Sequence, residues 1–208
     1  MSLREHSIYD CIVNNARNYS DEIALVSGDL RLTYGEVPLH VNSLARGLLS
    51  TGFVKGDRIG VLLNNCSEYA LLLAACTRIG LITVCLNPRT SADEMRKMLE
   101  QAKPKALIFQ KSYEQQADEL RELGIHRQLY CIDEASILSS SFDQLLDEDQ
   151  SPLTESQPAV DDGWLIIPTA AVDGVPKGAL LSQRNLMASV DVHLHHFGRE
   201  LIICIVKV

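Results

Sequence analysis

Short apolar runs alternate along this chain with stretches whose apolar residues recur at helical spacing, and that alternation constrains the fold more than any other feature. A run such as Arg58 to Leu63, apolar and brief, suits a strand covered on both faces, as parallel strands are. Between such runs come helix-length intervals, the pattern of an α/β domain with a mixed, largely parallel sheet flanked by helices.

Ile23 to Val26 reads as a strand, and Ser27-Gly28-Asp29 as a turn that returns Leu30 to Leu32 as its hairpin partner. Thr33-Tyr34-Gly35-Glu36 fits a capping box, in which hydroxyl and carboxylate each meet a free backbone N–H. Val37, Val41, Leu44 and Leu48 follow on one helical face. After the strand from Arg58, the pattern predicts a helix over about Ser67 to Ile79, ended by Gly80, and a strand over Leu81 to Leu86. Ser91-Ala92-Asp93-Glu94 is a second capping box, opening a helix with Met95, Met98, Leu99 and Ala102 on one side as core filler. Lys105 to Phe109 and Leu129 to Ile132 read as strands, with a helix over Tyr113 to Leu123 between them. The acidic, proline-interrupted stretch 142–160 reads as a surface linker, because Trp164 to Ile167 resumes a buried-strand pattern. Arg58 is expected to pair with the adjacent Asp57 at the strand entry.

Composition excludes several classes. With 46% hydrophobic and 22% charged residues the chain is that of an ordinary globular domain. A net charge of -8 argues against a nucleic-acid partner or an anionic membrane surface, since both reward a basic footprint. No run is long enough to span a membrane and the first residues lack the apolar stretch of a signal peptide. The 6 cysteines are scattered, without a zinc-ligand spacing, which suits a reducing cytoplasm. His193, His195 and His196 cluster, but nothing beside them completes a metal site, and a solvated helix end is the expectation.

The chemistry is carried by the segment after Ile167. Thr169, Ala170, Ala171, Val172, Asp173, Gly174, Val175, Pro176, Lys177 and Gly178 read as a loop between a strand and a helix that Ser182 begins. Glycines let backbone N–H groups approach an anion and a lysine adds a mobile positive charge. The spacing is not that of an ordinary P-loop.

Gly174-Val175-Pro176-Lys177-Gly178 resembles the G-x-P-K-G core of the adenylate-forming enzymes, the superfamily of AMP-forming acyl-CoA synthetases, luciferases and peptide-synthetase adenylation domains. The longer pattern T-S-G-T-T-G-x-P-K-G, followed by [ST]-H-x-N, is met at Thr169, Gly174, Pro176, Lys177, Gly178, Ser182 and Asn185. Upstream, Leu32 to Glu36, Lys55 to Gly60, Asn65 to Tyr69 and Leu86 to Arg89 are similar to further motifs of the family, in order. The resemblance implies part of the large N-terminal domain over 1–198, with 199–208 as an atypical C-terminal tail. It implies an enzyme that joins a carboxylic acid to ATP, releases pyrophosphate and passes the acyl group to coenzyme A, with Mg²⁺ beside the nucleotide. Thr169, Gly174, Lys177 and Gly178 are the expected phosphate contacts, with Ala170, Ala171, Val172 and Asp173 completing the loop.

Two departures qualify this. Ala170, Ala171, Val172 and Asp173 stand where the family has S-G-T-T, so hydroxyl donors to phosphate are absent and a carboxylate is added. Family members are also more than twice this length. The isolated chain, with no catalytic residue assigned, is therefore expected to be inactive. The alternatives are a non-catalytic fragment or pseudoenzyme, and an adenylation domain that loads an acyl carrier protein. Strands left uncovered at the sheet edge are expected to drive self-association.

Overall fold

The first helix, α1 (Ile8–Asn18), begins at Ser7, whose Oγ accepts from the Asp10 amide at 3.0 Å while the Ser7 amide donates to Asp10 Oδ2 at 2.9 Å. This capping box was not foreseen from the sequence, although Ser7 and Asp10 have the required spacing. Partial burial pushes the Asp10 carboxyl up, but the bonds from Ser7 and Gln157 outweigh it and hold the group below its ordinary value. The computed structural model describes residues 5–122, 128–133, 139–154, 157–169 and 177–197, with side chains as far as residue 192.

β1 (Ile23–Ser27) and β2 (Leu30–Thr33) form the expected antiparallel hairpin, its turn made possible by Gly28 at φ 58°. Thr33 and Glu36 exchange the two bonds of a capping box, Thr33 N to Glu36 Oε2 at 2.8 Å and Glu36 N to Thr33 Oγ1 at 3.3 Å. The box closes a turn, however, and α2 (Val37–Ser50) starts one residue after it, with Pro38 in its first turn. Val41, Leu44 and Leu48 are wholly buried along one face.

The rest of the chain winds a sheet. In order come β3 (Arg58–Leu62), α3 (Ser67–Ile79), β4 (Ile82–Cys85), α4 (Ala92–Ala102), β5 (Ala106–Phe109), α5 (Glu114–Glu122), β6 (Gln128–Cys131), β7 (Ser140–Ser141), β8 (Gly163–Thr169), β9 (Lys177–Ser182) and α6 (Gln183–Phe197). The sheet reads β7-β6-β5-β3-β4-β8-β9, parallel throughout except that β9 returns antiparallel to β8. It is the mixed, largely parallel sheet the alternation predicted. The chain moves from β3 to β4 on one side, then crosses back to β5 on the other. Right-handed crossovers therefore put α3 on one face and α4 and α5 on the opposite face. The core divides accordingly: Leu44, Leu48, Leu72 and Cys76 pack with Ile59 and Val61, whereas Met95, Leu99, Ala117 and Leu120 pack with Leu62, Leu107 and Phe109.

Three details differ from the sequence reading. Lys177 to Ser182 is a strand rather than part of a loop leading directly to a helix. The run has no β-branched residue, so its state comes from the ladder with β8 rather than from local preference. Arg58 does not pair with Asp57. Its guanidinium donates to the Ala102 and Lys103 carbonyls at 2.7 and 3.0 Å, closing the end of α4, while Asp57 accepts from the Val54 amide and meets Lys105. Finally, the helix expected from Tyr113 starts as a short 3-10 turn, Lys111–Tyr113, before α5, and Leu123 lies outside the described residues.

The acidic stretch crosses α2 as a strap. Phe142, Leu145 and Leu153 are buried, and α2 donates to its carbonyls: Ser43 Oγ to Asp147 at 2.7 Å, Asn42 Nδ2 to Gln150 at 3.2 Å and Arg46 Nη2 to Ser151 at 3.1 Å. Buried Arg78 of α3 completes the clip, donating to the Leu153 carbonyl at 2.7 Å with its guanidinium 5.2 Å from the Tyr9 ring centre.

Candidate functional site: the β8–β9 hairpin

The loop singled out in the sequence joins β8 to β9, so its two ends are held side by side. Thr169 stands opposite Lys177, and Pro168 opposite Gly178. The Thr169 hydroxyl donates to the Lys177 carbonyl at 3.1 Å. A threonine hydroxyl has one proton, so in this arrangement it staples the loop's ends and offers an incoming anion no donor. Lys177 is exposed, and among the described residues no carboxylate forms an ion pair with its ammonium. Among the described residues it is a cation at this end of the hairpin that an anionic ligand would meet.

Gly178 has a packing reason to be glycine. A Cβ there would lie 2.6 Å from Ile166 Cγ2 and 3.3 Å from Met98 Sδ, so a side chain would wedge the hairpin away from α4. Ala170, Ala171, Val172, Asp173 and Gly174 lie outside the described residues, as does Pro176.

The parallel strands β3, β4, β5, β6 and β8 all deliver their carboxyl ends to one edge, the edge on which an open α/β sheet collects ligands. Thr169 leaves the sheet there. So does the turn Asn87 to Thr90, tied by the Thr90 amide and hydroxyl donating to Asn87 O at 3.0 and 2.8 Å. Where the winding reverses, between β3 and β5, Tyr113 donates to Asn64 Oδ1 at 2.7 Å and Asn64 Nδ2 to Gln110 Oε1 at 3.1 Å. This triad was missed in the sequence because Asn64 follows β3 whereas Gln110 and Tyr113 follow β5, 46 residues further on. Its one signal is that Asn64 and Gln110 each stand just past a buried strand.

The base of the hairpin, at the opposite end from Thr169 and Lys177, is tied down by polar groups. Arg184 grips Asp161 through two bonds of 2.6 and 2.9 Å, which hold that carboxyl below its ordinary value, and the Arg184 amide donates to Val160 O at 2.9 Å. Gln183 is buried between α1 and α3. The backbone of His193, His195 and His196 belongs to α6, and their side chains lie outside those described. Among the described residues no group of His, Cys, Asp or Glu could hold a metal ion, and no helix is long and apolar enough to cross a membrane.

Comparison with known proteins places this geometry. The profile of the AMP-binding enzyme family matches residues 12–206. The 4-coumarate–CoA ligase 1 of Petroselinum crispum is 28% identical over 202 residues, which are 92% of this chain and 37% of that enzyme. The mitochondrial medium-chain acyl-CoA ligase ACSF2 of Homo sapiens is 34% identical over 116 residues, 55% of this chain and 19% of its own length. Among solved structures, a protein of Rhodopseudomonas palustris described as a long-chain-fatty-acid CoA ligase superposes with a TM-score of 0.85 at 30% identity, covering 93% of this chain and 49% of that one. The anthranilate CoA ligase AuaEII, solved with anthranoyl-AMP, superposes with a TM-score of 0.85 over 95% of this chain and 40% of its own; at 19% identity it speaks for the fold alone. The chain thus spans less than two fifths of the length of the 4-coumarate–CoA ligase it matches.

Proposed function

Because the chain belongs to the AMP-binding enzyme family, we propose that it is the leading part of an AMP-forming acyl-CoA ligase and that the β8–β9 hairpin offers its loop to the phosphates of ATP. The observation that carries this reading is the exposed Lys177, whose backbone stands opposite Thr169 on the edge where the parallel strands end.

In the reaction proposed for the whole enzyme, a carboxylate oxygen attacks the α-phosphorus of ATP and pyrophosphate leaves. The thiol of coenzyme A then attacks the acyl carbon and AMP leaves. Activation is needed because a free carboxylate would have to expel an oxide, whereas the adenylate expels a stabilised phosphate. In this segment Lys177 would neutralise phosphate charge. Gly174 and Gly178 would let backbone N–H groups come close to the oxygens, and Ala170, Ala171, Val172 and Asp173 would add backbone contacts to the same phosphates. Magnesium, which accompanies ATP in solution, wants oxygen anions, and the described hairpin residues offer it a hydroxyl, carbonyls and an ammonium. They do not fit a magnesium site, and no step of the reading uses one.

The 208 residues alone are proposed not to turn over, since they correspond to 37% of a 4-coumarate–CoA ligase. The protein is proposed to act in the cytoplasm on a small carboxylic acid, without a nucleic-acid partner. One observation favours a second reading, a loop that has lost its nucleotide: the Thr169 proton is spent within the hairpin, and Ala170 to Asp173 supply no hydroxyl.

Titration calorimetry with MgATP separates the two. A working loop binds at micromolar concentration, and Lys177→Ala weakens binding roughly 10- to 100-fold, the worth of one charge-assisted bond. Absence of heat up to millimolar MgATP overturns the reading in favour of the degenerate loop.

A further inference from the structure

We propose that Gln183 is a positioning residue that sets the aim of the β8–β9 hairpin by joining its base to α1 and α3; the nucleotide readout below rests on the function proposed above. Gln183 follows Ser182, the last residue of β9, and is 2% exposed. Its Oε1 accepts from the Ile8 amide at 3.0 Å and its Nε2 donates to the Thr77 carbonyl at 3.4 Å. Ile8 is the first residue of α1 and Thr77 lies in the last turn of α3, so both groups come from helix ends, where the helix itself provides no partner. One amide side chain therefore completes the ends of two helices from different parts of the chain.

The consequence for the site comes from leverage. Among the described residues β9 is the outermost strand and is bonded to β8 alone. Its residues are exposed or half-exposed along their whole length. At roughly 3.3 Å per residue, Lys177 lies about 17 Å from Ser182. A tilt of about 5° at the base would then move Lys177 by about 1.5 Å, and a misplacement near 1 Å is enough to cost on the order of 100-fold in a reaction that depends on alignment. Of the other ties at the base, Trp164 Nε1 donates to the Leu73 carbonyl at 3.2 Å and joins β8 to α3, but it does not reach α1. Arg184 with Asp161 is exposed and holds the hairpin to its own entry turn. Gln157, which accepts from Ser7 Oγ at 2.8 Å and donates to Asp10 Oδ1 at 3.2 Å, ties the entry segment to α1 without reaching α3. Gln183 alone among these residues bridges both helices.

The test uses the full chain with Gln183→Met, which removes both bonds at similar volume, and Gln183→Glu, which keeps an acceptor for Ile8 but loses the donor to Thr77. Three quantities are read well below each unfolding midpoint: MgATP affinity, hydrogen exchange of the Ile8 and β9 amides, and the midpoint itself. Gln183→Met is expected to weaken MgATP binding at least 10-fold and to speed exchange at Ile8 and along 177–182. Gln183→Glu should keep Ile8 protected and recover part of the affinity, and it serves as the sole variant if the methionine chain does not fold. A folded variant with a lowered midpoint but unchanged affinity and unchanged β9 exchange would make Gln183 mere filler and overturn the inference. If the unsubstituted chain binds no MgATP, the functional reading fails separately, and unchanged exchange in β9 would still overturn the positioning role.

Discussion

A methyl group on residue 47 would lie 1.9 Å from the Leu145 carbonyl oxygen, inside any tolerable contact. Gly47 is in the middle of α2, where alanine would ordinarily gain close to 1 kcal/mol. Here the sign reverses, because the strap lies directly on the helix at this residue and its backbone cannot move without breaking the bonds from Ser43 and Asn42. Gly47→Ala is expected to destabilise the protein by about 3 kcal/mol, the upper range for overpacking, as read from urea unfolding midpoints at constant slope. An unchanged midpoint would mean that the strap is not seated on α2 in solution. Burial acts on the thiols too: it pushes Cys66 and Cys76 up to about 12, so both stay protonated and inert near neutrality.

Two helices share one start signal but differ in what the signal holds. Ser91 caps α4 at the surface, where its loss should cost about 1 kcal/mol. Ser7 caps α1 in the same way, yet it is 3% exposed and its hydroxyl also donates to Gln157. Ser7→Ala should therefore cost about 2 kcal/mol, and paired urea melts that give the two alanine variants equal losses would refute the added role. The same contrast explains what could be read in advance. Buried strands and the box at Ser91 are local patterns, so the sheet, α3 and α4 were legible. α1 carries its box in plain view, but the helix is short and only Tyr9 of its residues is buried, so it stands apart from the core pattern that revealed α3 and α4. β9 has weak intrinsic preference and takes its form from β8. Arg58 was assigned the nearest carboxylate, whereas the carbonyls left open at the end of α4 fit its planar guanidinium better. At the site, Gly174 to Gly178 pointed to the segment that joins β8 to β9. The Thr169 staple and the Gln183 bridge were not legible, since each depends on a partner brought close only by the folded chain.

Across the whole sheet, the described residues cover both faces around β3 and β5 and leave the far edge open. Among the described residues β9 pairs with β8 alone, and Leu180 is 57% exposed and Ile167 39% exposed beside it. Such an edge recruits another strand. Light scattering behind size-exclusion chromatography is expected to show mass rising with concentration, and Leu180→Lys should return the chain toward the monomer; a concentration-independent monomer would count against the open edge. The bond between Ile8 and Gln183 has a further consequence, in time rather than space. It joins residues 175 apart, so α1 is synthesised well before the strand-to-helix junction that completes it. At about 5–20 residues per second, the Ile8 amide waits on the order of 10 to 30 s for its acceptor. Throughout that interval α1 has no finished site to dock into, and the nascent chain carries it as an unclaimed amphipathic segment, the kind of surface on which chaperones act.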